Sequence, residues 1–130
     1  MQTVLVMEKD TATLVAWALV LRSFGFTVLE AASRGEAWRA CHLHRRPVDL
    51  ILTKAASDNG TSDEFVSRLQ LMCPRMRAVF VCDALSAELA GRLSMPCEYA
   101  VVRKPFRAEV LADTITGLLD GSMGAASSLS

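Results

Sequence analysis

Val48-Asp49-Leu50-Ile51-Leu52-Thr53-Lys54 is the stretch that decides the fold. It is a short apolar run with a polar residue at its carboxyl end. Strands buried on both faces of a parallel sheet read this way, as continuous apolar runs rather than alternating ones. In an open parallel sheet, ligands and reacting groups collect at the carboxyl ends of the strands. Lys54 therefore stands where chemistry is expected. Asp49 precedes the apolar core of the run and belongs at the opposite end of the sheet.

Outward from this run the same signature recurs. Thr3-Val4-Leu5-Val6-Met7, Phe26-Thr27-Val28-Leu29-Glu30-Ala31, Ala78-Val79-Phe80-Val81-Cys82 and Tyr99-Ala100-Val101-Val102 read as four further strands. Between them lie helical patterns. The first carries Leu14, Val15, Ala18, Leu19 and Leu21, with Gly25 as its stop. Ser33-Arg34-Gly35-Glu36 has the spacing of a capping box and opens a helix through Trp38 and Leu43. After a polar loop over 54–61, Thr61 or Ser62 caps a helix with Phe65, Val66, Leu69 and Met72 on one side. A short helix is expected over 86–93. The last, over 107–119, turns Val110, Leu111, Ile115, Leu118 and Leu119 inward. Five strands alternating with five helices give an α/β domain with a parallel sheet, because each crossover has room for one helix. Residues 1–120 form this domain, and 121–130, mostly small and polar, are expected to be a flexible tail.

Composition narrows the function. The chain has 130 residues, enough for one domain with a real core, and 52% of them are hydrophobic, which favours a packed globule. Fourteen basic and fourteen acidic residues balance to zero net charge, so no electrostatic footprint for nucleic acid or an anionic membrane follows. No signal peptide or membrane span is visible, and the chain is read as cytoplasmic. The four cysteines, Cys41, Cys73, Cys82 and Cys97, lack metal-ligand spacing and read as free thiols. Cys41-His42-Leu43-His44 is not read as a metal site, since neighbours one and two apart on a helix do not face one another. Trp17 and Trp38 read as packing or surface aromatics.

Three motifs in order carry a resemblance to the response-regulator receiver domains of two-component systems, over roughly residues 2 to 120. They are Val4-Leu5-Val6-Met7-Glu8, Val48-Asp49-Leu50-Ile51-Leu52 and Lys104-Pro105-Phe106. The resemblance implies a flavodoxin-like, doubly wound (βα)5 fold with a five-stranded parallel sheet of order 2-1-3-4-5. It also implies a phosphoacceptor pocket at Glu8, Lys9, Lys54, Asp83, Lys104 and Pro105, and that pocket is altered. Lys54 occupies the place of the acceptor aspartate, and a lysine forms no acyl phosphate. Lys9 replaces the second metal-binding acid. Asp83 stands where a threonine or serine senses the phosphate. Val101 lies where a rotating aromatic is common, with Tyr99 nearby, and Ser62 replaces a frequent glycine.

Mg²⁺ asks for carboxylate and other oxygen ligands in octahedral array. Lys9 and Lys54 remove two such groups and add two positive charges, so no metal and no cofactor is expected. The Lys54 ammonium is instead expected to lie between Glu8 and Asp83, in the place of the metal. The reading is a degenerate receiver: no enzyme and no catalytic residue, but a phosphorylation-independent interaction module in phosphorelay signalling. Its partner is a histidine kinase, another regulator or its own copy, the last through an apolar surface on the final two helices. One alternative is phosphorylation at a non-standard acid, Asp58 or Asp10. The other is a nucleotide- or flavin-binding domain, against which the first loop, Glu8-Lys9-Asp10-Thr11-Ala12-Thr13, lacks phosphate-cradling glycines.

Overall fold

The structure, a computed structural model, describes residues 2–57, 60–83, 91–95, 97–120 and 127–129. Its elements run β1 (Thr3–Met7), α1 (Thr11–Ser23), β2 (Thr27–Ala31), α2 (Arg34–Leu43), β3 (Leu50–Lys54), β4 (Ala56–Ser57), β5 (Gly60–Thr61), α3 (Asp63–Leu69), β6 (Arg77–Cys82), β7 (Tyr99–Arg103), α4 (Ala108–Leu119) and β8 (Ser127–Leu129). The main sheet is parallel, in the order β2-β1-β3-β6-β7-β8. Its first five strands are the five expected, in the expected order. The helix expected over 86–93 falls largely on residues 84–90, outside the described residues, as do 121–126 and 130 of the expected tail. β8 extends the sheet beyond β7, and the antiparallel pair β4–β5 occupies the segment read as loop.

Alternation along each strand divides the core into two layers. Val4 and Val6 of β1, Leu50 and Leu52 of β3, Val79 and Val81 of β6, and Ala100 and Val102 of β7 face one layer. There they meet Leu14, Trp17, Ala18 and Leu21 of α1 and Leu111, Ile115 and Leu118 of α4. Leu5, Ile51, Ala78, Phe80 and Val101 face the other, packed with Ala37 and Cys41 of α2 and Val66 and Leu69 of α3. Because both faces are covered, the strands carry no polar face, which is why they read as unbroken apolar runs.

Helix α1 buries one stripe of its apolar residues. Trp17 joins Leu14, Ala18 and Leu21 in the core, whereas Val15 and Leu19 are 44% and 61% exposed. The helix is apolar on most of its circumference, so periodicity alone did not say which stripe turns inward. On α4, Leu111, Ile115 and Leu118 are buried and Val110 and Leu119 half-buried. Trp38 on α2 is exposed, at 43%.

Ser33 caps α2 as its spacing predicts: the Glu36 amide donates to Ser33 Oγ at 3.1 Å. Glu36 reaches back one residue further than in the usual box, to the Ala32 amide at 3.4 Å. Ser33→Ala is expected to lower unfolding free energy by about 1 kcal/mol, read as a shift of the urea midpoint at unchanged slope. At α3, Ser62 occupies the cap position without a side-chain cap bond; its amide donates to the Ala55 carbonyl at 3.0 Å instead.

At the amino ends of the strands, Asp49 Oδ2 accepts the Thr3 amide at 2.7 Å. Asp49 therefore anchors the sheet at the end opposite Lys54. Among the described residues, no helix is long and apolar enough to cross a membrane.

Candidate functional site

Strand register assembles the site. Met7 pairs with Thr53, so one further step along the ladder sets Glu8 beside Lys54. Cys82 pairs with Arg103, so the next step sets Asp83 beside Lys104. Backbone hydrogen bonds carry the ladder past the strand ends: Glu8 N to Ala31 O at 3.0 Å, Ala55 N to Val81 O at 2.8 Å and Lys104 N to Cys82 O at 2.8 Å. Four charged residues, Glu8, Lys54, Asp83 and Lys104, thus occupy the carboxyl ends of four adjacent strands, β1, β3, β6 and β7.

Glu8 and Lys54 meet directly. Lys54 Nζ lies 3.2 Å from Glu8 Oε1; the carboxylate side chain is only 2% exposed, the lysine 49%. Glu8 Oε2 accepts the Asp10 amide at 3.0 Å. Oε1 has no partner with hydrogen-bond geometry, so its contact with Lys54 is that of two charges rather than an aligned hydrogen bond. At this separation and an effective dielectric near 20 the gross attraction is about 5 kcal/mol, much of it offset by desolvation of the carboxylate. Of the two acids expected to flank Lys54, Glu8 makes this ion pair. Asp83 is exposed just past β6, and Lys9 is exposed on the loop after β1.

Lys104 is drawn toward α1. Its ammonium lies over the Trp17 ring, 5.4 Å from the centroid, a cation–π contact that holds the side chain against the helix. Trp17, Lys104, Pro105 and Phe106 line an open cleft of about 540 Å³. The peptide bond between Lys104 and Pro105 is cis. Tyr99, the aromatic near position 101, donates its hydroxyl to the Leu93 carbonyl at 3.2 Å and packs edge-on against Phe80.

Sequence reasoning named Asp10 only as an alternative acceptor and missed its structural role. Its carboxylate caps α1, accepting the Thr13 amide at 3.0 Å and the Thr13 hydroxyl at 2.6 Å. These hydrogen bonds hold the Asp10 carboxyl below the usual carboxylate range, helped by the charges of Lys54 and Lys104. The Asp10-x-x-Thr13 spacing carried this signal. Asp58, the other alternative acceptor, lies outside the described residues. Trp17 had no such local signal, because its partner Lys104 is remote in sequence.

The donor set does not suit the Mg²⁺ that a receiver-like pocket implies. The buried carboxylate of Glu8 has one oxygen against an ammonium and the other on a backbone amide. Octahedral Mg²⁺ needs oxygens free to coordinate, and Lys54 contributes none and repels a cation. Among the described residues, no group of three His, Cys, Asp or Glu side chains is placed to hold a metal ion.

No family model matches the chain. The sensor kinase CckA of Brucella abortus (strain 2308) is 26% identical over 118 residues, covering 91% of this chain and 12% of the kinase. The chain thus spans 12% of the length of that curated relative. Among solved structures, a response regulator receiver domain protein from Clostridium thermocellum superposes with a TM-score of 0.77 at 19% identity, over 94% of this chain and 97% of its own. The receiver domain of the hybrid histidine kinase CckA gives 0.71 at 20% identity, over 90% and 98%. These neighbours share the CheY-like, flavodoxin-like architecture, and they are matched over nearly their whole lengths.

Proposed function

We propose that this chain is a receiver-like interaction module of two-component or phosphorelay signalling that works in the cytoplasm without aspartyl phosphorylation. One observation carries the reading. At the carboxyl end of β3, where this fold places its reacting group, Lys54 forms an ion pair with the buried Glu8 at 3.2 Å. The ammonium supplies a fixed positive charge where a receiver of the usual kind binds a removable cation. The pocket is held in one charge state, and the domain signals through the surface that state presents. Its partner is a protein: a histidine kinase, a second regulator or another copy of this chain. The role is binding, with no catalytic residue assigned; Glu8, Lys9, Lys54, Asp83, Lys104 and Pro105 constitute the altered pocket.

Acetyl phosphate is the direct test. After incubation with acetyl phosphate and Mg²⁺ and an acid quench, the intact mass is expected to equal that of the untreated protein. A stoichiometric gain of one phosphoryl group would overturn the proposal, and peptide mapping would then assign the acceptor to Asp10, Asp58 or another acid. A flavin-binding domain would instead show visible absorbance on purification.

A further inference from the structure

Lys104 stands just past the carboxyl end of β7, and among the described residues its ammonium forms no ion pair. The group it meets is the ring of Trp17, with 5.4 Å between the ammonium and the centroid. Asp10 feels the charge of Lys104, but its carboxylate is committed to the Thr13 amide and hydroxyl at the cap of α1. The segment 99–108 carries Arg103, Lys104 and Arg107, all exposed, and no acid. Its contribution to the local potential is therefore positive.

The cleft that Lys104 borders is otherwise apolar. Trp17, buried but for 7% of its surface, and the half-buried Phe106 both belong to the core layer beneath it. Exposed Pro105 adds a third apolar side chain. The volume, about 540 Å³, falls within the range of roughly 300–1,000 Å³ that small-molecule clefts occupy. We infer that this cleft is a binding site for a small planar aromatic anion. The ring of the ligand lies against Trp17 and Phe106, and its anionic group takes the Lys104 ammonium.

Both halves of that ligand are needed. A bare anion gains little, because an exposed ammonium attracts it across water, as in a surface ion pair. A neutral arene gains apolar contact but leaves the ammonium as it was. Joined in one molecule, the ring shields the contact from water and the charged hydrogen bond strengthens. The cation–π contact already holds the Lys104 side chain in place, so binding orders little that was free. The inference goes beyond the signalling reading and does not rest on it. It needs no property of Lys54, no phosphorylation and no protein partner.

The test titrates the full, nitrogen-15-labelled chain with 2-naphthoate and follows amide and indole shifts by NMR. Saturable shifts are expected at the Trp17 indole N–H and the Lys104 and Phe106 amides, with a Kd of about 1 mM or tighter for a ligand of this size. The exposed Trp38 on α2 is the internal control, and its indole should not move. The neutral 2-naphthylmethanol should bind about tenfold more weakly, since it lacks the charged contact. Lys104→Met should weaken naphthoate by a similar factor while the rest of the spectrum is kept, and Lys104→Arg should restore most of the affinity. Parallel shifts at Trp38, equal binding of acid and alcohol, an unaffected Lys104→Met variant or no saturation by about 10 mM would each overturn the inference. Cleft shifts that follow protein concentration without ligand would assign the cleft to a second copy of the chain and overturn it too.

Discussion

Lys54→Asp is expected to destabilise the protein by about 2–3 kcal/mol in the absence of divalent cations, and Mg²⁺ is expected to restore part of that loss. The substitution removes the ammonium from Glu8, whose carboxylate is 2% exposed, and sets a like charge in its place. Breaking a fully buried ion pair costs about 3–5 kcal/mol. Lys54 is half in solvent, so the loss of its charge alone falls below that range, and repulsion between two adjacent carboxylates adds to it. The same change creates a pair of acids of the kind Mg²⁺ prefers. A cation that binds only the folded state contributes RT ln(1 + [L]/Kd), or about 1.4 kcal/mol at ten times Kd. Thermal melts of the parent and the variant across a Mg²⁺ series check both halves. Equal stabilisation of the parent by Mg²⁺ would show that the native pocket accepts a cation despite Lys54, and the fixed-charge reading would fall.

Phe80→Ala is expected to cost about 3–5 kcal/mol, a large part of the stability of a domain this size. Phe80 is completely buried at the middle of β6, paired with Thr53 on β3 and Val101 on β7. Its ring meets Tyr99 edge-on, with centroids 5.8 Å apart and planes at 80°. Alanine would leave a cavity that β-strands bonded on both sides have little freedom to close, and would remove the edge-to-face contact as well. Phe80→Leu keeps most of the volume and is expected to lose no more than about 1.5 kcal/mol. Urea unfolding of the two variants gives the comparison, and a loss below 1 kcal/mol for alanine would contradict this packing.

Much of the site was legible before the structure because parallel strands convert sequence position into spatial position. The apolar runs at Val4, Leu50, Val79 and Ala100 locate four strands, and the residues just past each run fall at one end of the sheet. Glu8, Lys54, Asp83 and Lys104 could be grouped on that basis. Other features were hidden for identifiable reasons. The β4–β5 pair has two residues per strand, too few for any period to show. Val15 and Leu19 are as apolar as Leu14 and Ala18, and only the position of the sheet decides which stripe is covered.

The sequence by itself determined the layer architecture, the parallel sheet, the end at which charged side chains gather, and the presence of a lysine at that end, at position 54. Those properties follow from the period and sign of local residue patterns. Which charge meets which was decided only by the tertiary structure. Lys54 turns to Glu8 because the β1–β3 register sets them side by side. Lys104 leans onto Trp17 because α1 and β7 border the same core layer. Contacts of this kind join residues far apart in the chain, and their distances are set by how helices and strands pack, which no local pattern encodes.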